Sequence, residues 1–184
     1  MIWNLFKRKK ANQALVERQY AEITRGARSP IFYAEMGVPD TVMGRFEMIA
    51  IHLILYLRGN GSAGAATKGI AQDIVDAFFE DVDHSIRELG VGDVGVPKRM
   101  KKLARMFYGR VKSYGQALDA GDRAGLIEAL KRNIHPESAD TAPSTQALAD
   151  WMIATAPILE DVPEEALAAG KLTFSAPETR EVSS

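Results

Sequence analysis

Seven basic residues and no acidic one fall between Lys98 and Lys112, in a chain whose formal net charge is only −1. Cationic side chains gathered this densely in a near-neutral protein form a candidate surface for anionic groups: lipid headgroups, ribosomal RNA or an acidic protein segment. On a helix at about 100° per residue, Lys98, Lys101, Lys102, Arg105 and Lys112 share an arc of roughly 100°. Met100, Leu103, Phe107, Val111, Tyr114 and Leu118 fall on the other side, as in a surface helix with one buried stripe. Arg99 and Arg110 flank that stripe and can bury their stems while their heads stay wet. A merely solvating face mixes signs, with glutamates spaced from lysines. This face does not mix them, so the spacing points to a partner.

Other residue patterns offer weaker chemistry. Gly59, Gly61 and Gly64, and again Gly90, Gly92 and Gly95, match the G-x-G-x-x-G dinucleotide fingerprint. That fingerprint works only after a strand, where a turn presents backbone amides and a helix N-terminus to pyrophosphate. The first follows Ile51 to Leu57, which could be forced into a strand, but the apolar run reaches back to Val42 at helical length and no βαβ pattern follows; the second follows a helix, and its Asp93 would repel phosphate. Tight turns between packed helices are the better reading. Asp73, Asp76, Glu80 and Asp83 share one side of a helical segment. A carboxylate-bridged metal pair would need Glu-x-x-His motifs on partner helices; with three histidines in the chain, an acidic face or an internal partner for the basic helix is expected. His52 reads as a core histidine with a hydrogen-bond partner, sharing a polar stripe with Arg45. No serine or histidine cluster pairs a nucleophile with a base. Neither catalysis nor a metal or other cofactor is expected.

The elements that must position these residues are almost all helical. A first helix is expected from about Lys10 to Arg25, ended by Gly26, Ser29 and Pro30. Pro39, Asp40 and Thr41 form a start signal for a helix running to about Arg58, apolar nearly all round and therefore central. A second long helix should run from about Ala65 to Leu89, with Ile70, Ile74, Phe78, Val82 and Ile86 inward and Gly90 as terminator. The basic helix follows. Gly121 and Asp122 break it, and a shorter helix should reach about Ile134 before His135 and Pro136. Further helices are expected around Ser144 to Thr155 and from Pro163 through Ala169. The fold class is thus all-α: a single-domain helical bundle of about six to seven helices. Residues 1–29 read as a basic, amphipathic N-terminal extension with the first helix, 30–170 as the helical domain, and 171–184 as a flexible, disordered tail.

Composition fits a globular domain of ordinary type, with 46% hydrophobic and 26% charged residues among 184. The net charge argues against DNA as a partner. With no cysteine, disulfides and thiolate metal sites are excluded. The most apolar run, Phe46 to Leu57, is interrupted by Glu47 and His52 and is shorter than the roughly 20 residues a membrane span needs. At the N-terminus, Trp3 and Phe6 precede Lys7, Arg8, Lys9 and Lys10. This order is not that of a secretory signal. It suits an aromatic tip with a polybasic collar, and these six residues are the expected membrane contact.

A longer pattern surrounds the basic helix. Phe78, Phe79 and Asp83 lead into Arg87, Glu88, Leu89, Gly90, Val91, Gly92 and Asp93. Met100, Lys101, Phe107, Tyr108, Gly109, Arg110, Tyr114, Ala117 and Leu118 follow. Upstream stand Tyr33, Gly37, Val38, Pro39, Asp40, Thr41, Gly44, Arg45, Phe46, His52 and Leu53. These blocks, spanning about residues 30–120, resemble the ubiquinol–cytochrome c chaperone family, assembly factors of the cytochrome bc complex. The resemblance implies a non-catalytic chaperone for newly made cytochrome b, cytoplasmic and peripheral at the inner face of the inner membrane. The alternative is a general peripheral-membrane or ribosome-associated binding module. Apolar positions around the helix beginning at Thr41, with Phe107, Tyr108 and Tyr114, would offer a groove for an apolar helix or loop. Lys98, Arg99, Lys101, Lys102, Arg105, Arg110 and Lys112 complete the expected partner surface, facing an anionic membrane or ribosome. Asp93 is expected to order the preceding loop, with Arg110 reaching back to it.

Overall fold

A computed structural model describes residues 2–61, 64–137 and 143–177, with side chains from residue 12 onward save those of Ala66, Glu164 and Ala168. The described residues form six long helices and two of five residues, with no strand. In order these are α1 (Ile2–Ala27), α2 (Pro30–Ala34), α3 (Val42–Gly59), α4 (Ala65–Glu88), α5 (Val96–Asp119), α6 (Arg123–Ile134), α7 (Gln146–Glu160) and α8 (Glu164–Ala168).

The boundaries follow local chemistry. Thr41 caps α3, its hydroxyl accepting from the Gly44 amide at 3.1 Å. Asp122 caps α6 in the same way through the Gly125 amide at 2.8 Å. Gly90 and Gly121 end the turns after α4 and α5 with φ of 79° and 62°, a region glycine enters without a Cβ penalty. Helix α2 was not visible in the hydrophobic periodicity because it is one turn long; Pro30 sets its first φ and Phe32 is buried beneath it. Helix α7 runs past its expected end at Thr155 and through Pro157, because Ala156 and Leu159 are still packed on the core.

Helix α3 is central. It packs against α1, α4, α5, α6 and α7, and nearly every residue from Phe46 to Tyr56 is buried. That answers to its apolar character all round. Helix α1 packs along α3 and α4, with Val16, Ile23 and Ala27 in the same core.

The tail expected from residue 171 begins later than anticipated. Leu172 is buried, Phe174 packs its ring 4.6 Å from that of His52, and Trp151 Nε1 donates to the Ser175 carbonyl at 3.0 Å. Residues 171–177 therefore form an extended strap over α3 and α7. An apolar pair set among polar residues was enough to fasten it. The remainder of the tail, 178–184, lies outside the described residues.

Candidate binding surfaces

Helix α5 carries the charge that the spacing indicated. Lys98, Arg99, Lys101, Lys102, Arg105 and Lys112 are exposed. None of the six makes an ion pair or side-chain hydrogen bond among the described residues. The acidic side of α4 does not neutralise them: Asp73, Asp76 and Glu80 face solvent on their own helix. The cationic stripe is an open surface.

Three residues expected on that surface are elsewhere. Arg110 is 5% exposed and Glu47 on α3 is 2% exposed. Arg110 Nε donates to one Glu47 oxygen at 2.5 Å, and its Nη2 donates to the other. The two-pronged geometry matches a carboxylate to a guanidinium. Burial pushes the Glu47 carboxyl above its ordinary value, and the Arg110 hydrogen bonds partly offset this. Arg110 is thus a clamp between α5 and α3, turned to Glu47 and not to the glycine loop. Phe107 and Tyr114 are fully buried. Phe107 stacks among Phe78, Phe79 and Tyr108, and the Tyr114 hydroxyl accepts from Asn133 at 3.0 Å. Burial pushes the Tyr114 hydroxyl well above its ordinary value. Of the aromatic set only Tyr108 is exposed. Asp93 accepts from Arg87 Nη1 of α4 at 2.5 Å, and its own side chain remains 91% exposed. Trp3, Phe6, Lys7, Arg8, Lys9 and Lys10 lie in α1, and their side chains lie outside the described residues.

An open groove of about 930 Å³ runs between the start of α3 and the second half of α4. Phe46, Ile49, Phe78, Val82, Ile86 and Leu103 give it an apolar floor. Val42, Met43 and Leu89 stand on its rim and are exposed. Polar groups ring it: the Asp40–Arg45 ion pair at 2.9 Å, and Asp81, held by the Tyr20 hydroxyl at 2.9 Å. Burial and the Asp81 carboxylate together raise the Tyr20 hydroxyl far above its usual range, so it remains a donor. The sequence reading joined apolar positions around the start of α3 to Phe107, Tyr108 and Tyr114, none of which lines this groove. The wall from Val82, Ile86 and Leu89 was not part of that reading. Its signal was present in Leu89, an apolar residue at an exposed helix end.

The remaining candidates are structural. His52 is wholly buried among Phe32, Trp151 and Phe174. Its Nδ1 lies 2.8 Å from the Met48 carbonyl, and desolvation lowers its pKa to about 4. Arg45 does not share its environment, being paired with Asp40 at the surface. Both glycine stretches follow helices, α3 and α4, so neither presents the strand-to-helix turn that pyrophosphate needs.

Comparison with known proteins agrees with this architecture. The profile described as "Ubiquinol-cytochrome C chaperone" matches residues 34–174, extending into the strap and well past the motifs that end near residue 120. The crystal structure of the Cbp3 homolog from Brucella abortus superimposes with a TM-score of 0.86 at 50% identity, covering 96% of this chain and 97% of that one. The chain is 25% identical over 121 residues to ubiquinol-cytochrome-c reductase complex assembly factor 1 of Xenopus laevis, covering 66% of this chain and 60% of the relative. Against the Mus musculus protein of that name it is 23% identical over 135 residues, covering 73% and 45%. The chain therefore spans about half of the length of these curated relatives.

Proposed function

Because this chain belongs to the ubiquinol–cytochrome c chaperone family, we propose that it is a non-catalytic assembly factor for the ubiquinol–cytochrome c reductase complex, holding newly synthesised cytochrome b at the inner face of the membrane. The α3–α4 groove carries the reading. It is apolar, open and edged by exposed Val42, Met43 and Leu89. A contiguous exposed apolar patch with a polar rim is the form taken by a site for an apolar helix or loop.

The basic face of α5 takes a different role. Cytoplasmic loops of membrane proteins are enriched in Lys and Arg, so this face repels such loops and suits an anionic surface instead. Client and anion are thereby assigned to two different surfaces of one bundle.

A photocrosslinking residue placed at Met43 in the native cell tests the client. Cytochrome b should be the dominant adduct, and Val82→Asp should abolish it while leaving the protein's abundance unchanged. A broad mixture of membrane proteins would overturn the assignment and leave a general binding module.

A further inference from the structure

The turn between α4 and α5 has an unusual tip. Gly95 N donates to the Gly92 carbonyl at 2.8 Å, closing a four-residue turn with Asp93 and Val94 at its centre. Turn tips favour Gly, Asn, Asp, Ser and Pro, which hydrate well or fit the bend. Val94 has no such reason to be there, and it is 97% exposed. Leu89, at the start of the same connection, is 59% exposed. One helical turn beyond Val94 comes Lys98, then Arg99, Lys101 and Lys102, all exposed and without carboxylate partners among the described residues. The one carboxylate at the tip, Asp93, is paired with Arg87, which also bonds Asp83, so the four free cations of α5 outnumber the negative charge left at the tip.

We infer that this connection is a membrane-docking tip, in which Val94 and Leu89 enter the interfacial layer of an anionic bilayer while Lys98, Arg99, Lys101 and Lys102 contact its phosphates. Aliphatic residues beneath a cationic collar are the arrangement that combines apolar burial with headgroup attraction. A ribosomal RNA surface would use the cations but leave Val94 and Leu89 unexplained. The positive end of the α5 dipole points the same way as the collar. Leu89 is also on the rim of the α3–α4 groove, so docking by this tip opens the groove's mouth at the lipid surface. The inference needs no particular client and stands or falls apart from the cytochrome b assignment.

End-on docking makes the cations unequal. Lys112 lies about 21 Å along α5 from Lys98, beyond a Debye length of roughly 8 Å at physiological salt. Lys98 is beside the lipid.

The chain has no cysteine, so a single dye can be placed at will. Val94→Cys and, on exposed Ala124 of α6 near the far end of α5, Ala124→Cys would each carry an environment-sensitive fluorophore. They would be mixed with phosphatidylcholine vesicles with and without phosphatidylglycerol. The label at position 94 should shift to the blue only with the anionic vesicles, and that at 124 should not. Lys98→Glu with Lys101→Glu should weaken vesicle binding at least roughly a hundredfold, whereas Lys112→Glu should change it less than about threefold. If the protein binds vesicles with the position-94 dye still in water, or Lys112→Glu costs as much as the Lys98→Glu, Lys101→Glu pair, the tip is not the docking element. Binding to ribosomes in place of vesicles would also overturn the proposal.

Discussion

Replacing Arg110 with methionine separates a structural clamp from a partner contact. In the folded chain Arg110 and Glu47 are both under a tenth exposed and bonded through two donor–acceptor pairs. Removing the guanidinium leaves Glu47 buried beside Tyr114 with no counter-charge. Breaking a buried pair from one side costs about 3–5 kcal/mol, because the remaining charge is desolvated without compensation. Against a typical domain stability of about 5–15 kcal/mol, that is a loss of about a fifth or more. Glu47→Met combined with Arg110→Met removes both charges and keeps the volume, so the double variant should recover most of the loss. Urea unfolding followed by circular dichroism gives the measurement. The midpoint should fall for each single variant with the slope unchanged, and the cycle should show a coupling of at least about 2 kcal/mol. An Arg110→Met protein within about 0.5 kcal/mol of the parent, or a double variant as unstable as the two losses added, would refute the clamp.

Three further outcomes follow from the packing. His52 stays neutral in the fold down to about pH 4, whereas an unfolded histidine takes up a proton near 6.5. Stability from this residue is therefore complete above about pH 6.5 and is lost as the pH falls toward 4; at pH 5 the loss is about 2 kcal/mol, and His52→Leu should remove that part of the slope in unfolding measured from pH 7 to 5. Phe174→Ala strips the ring that covers His52, so it should lower stability by about 2 kcal/mol and move the imidazole titration, followed by nuclear magnetic resonance, upward toward its ordinary value. Among helical glycines, Gly59→Ala would bring a Cβ within 2.5 Å of the Leu159 carbonyl and should cost about 2 kcal/mol by forcing α3 from α7. Gly109→Ala meets nothing within 4 Å and should raise the melting temperature, adding up to about 1 kcal/mol of helix propensity.

Much of the molecule was legible before folding was considered, wherever the signal is local. The cap at Thr41, the stop at Gly90 and the break at Gly121 and Asp122 are choices made by a few adjacent atoms, and the structure keeps each of them. The inward row from Ile70 to Ile86 and the cationic stripe of α5 are periodicities of a single helix and needed no neighbour to define them. The family motifs are also strings of adjacent residues. The C-terminal strap was missed because its fastening lies in the aromatic wall formed by α2, α3 and α7, and nothing local in residues 171–177 announces it.

Arg99 and Arg110 show where the sequence stops. Both border the apolar stripe of the same helix, and periodicity treats them alike. The structure leaves Arg99 in solvent and draws Arg110 inside, because Glu47, 63 residues away, stands opposite one and not the other. Helix type, helix ends and the sign of each face are properties of neighbours along the chain. Which cation is enclosed, and whether apolar residues on α3, α4 and α5 close into a core or leave a groove, depends on how separate helices meet.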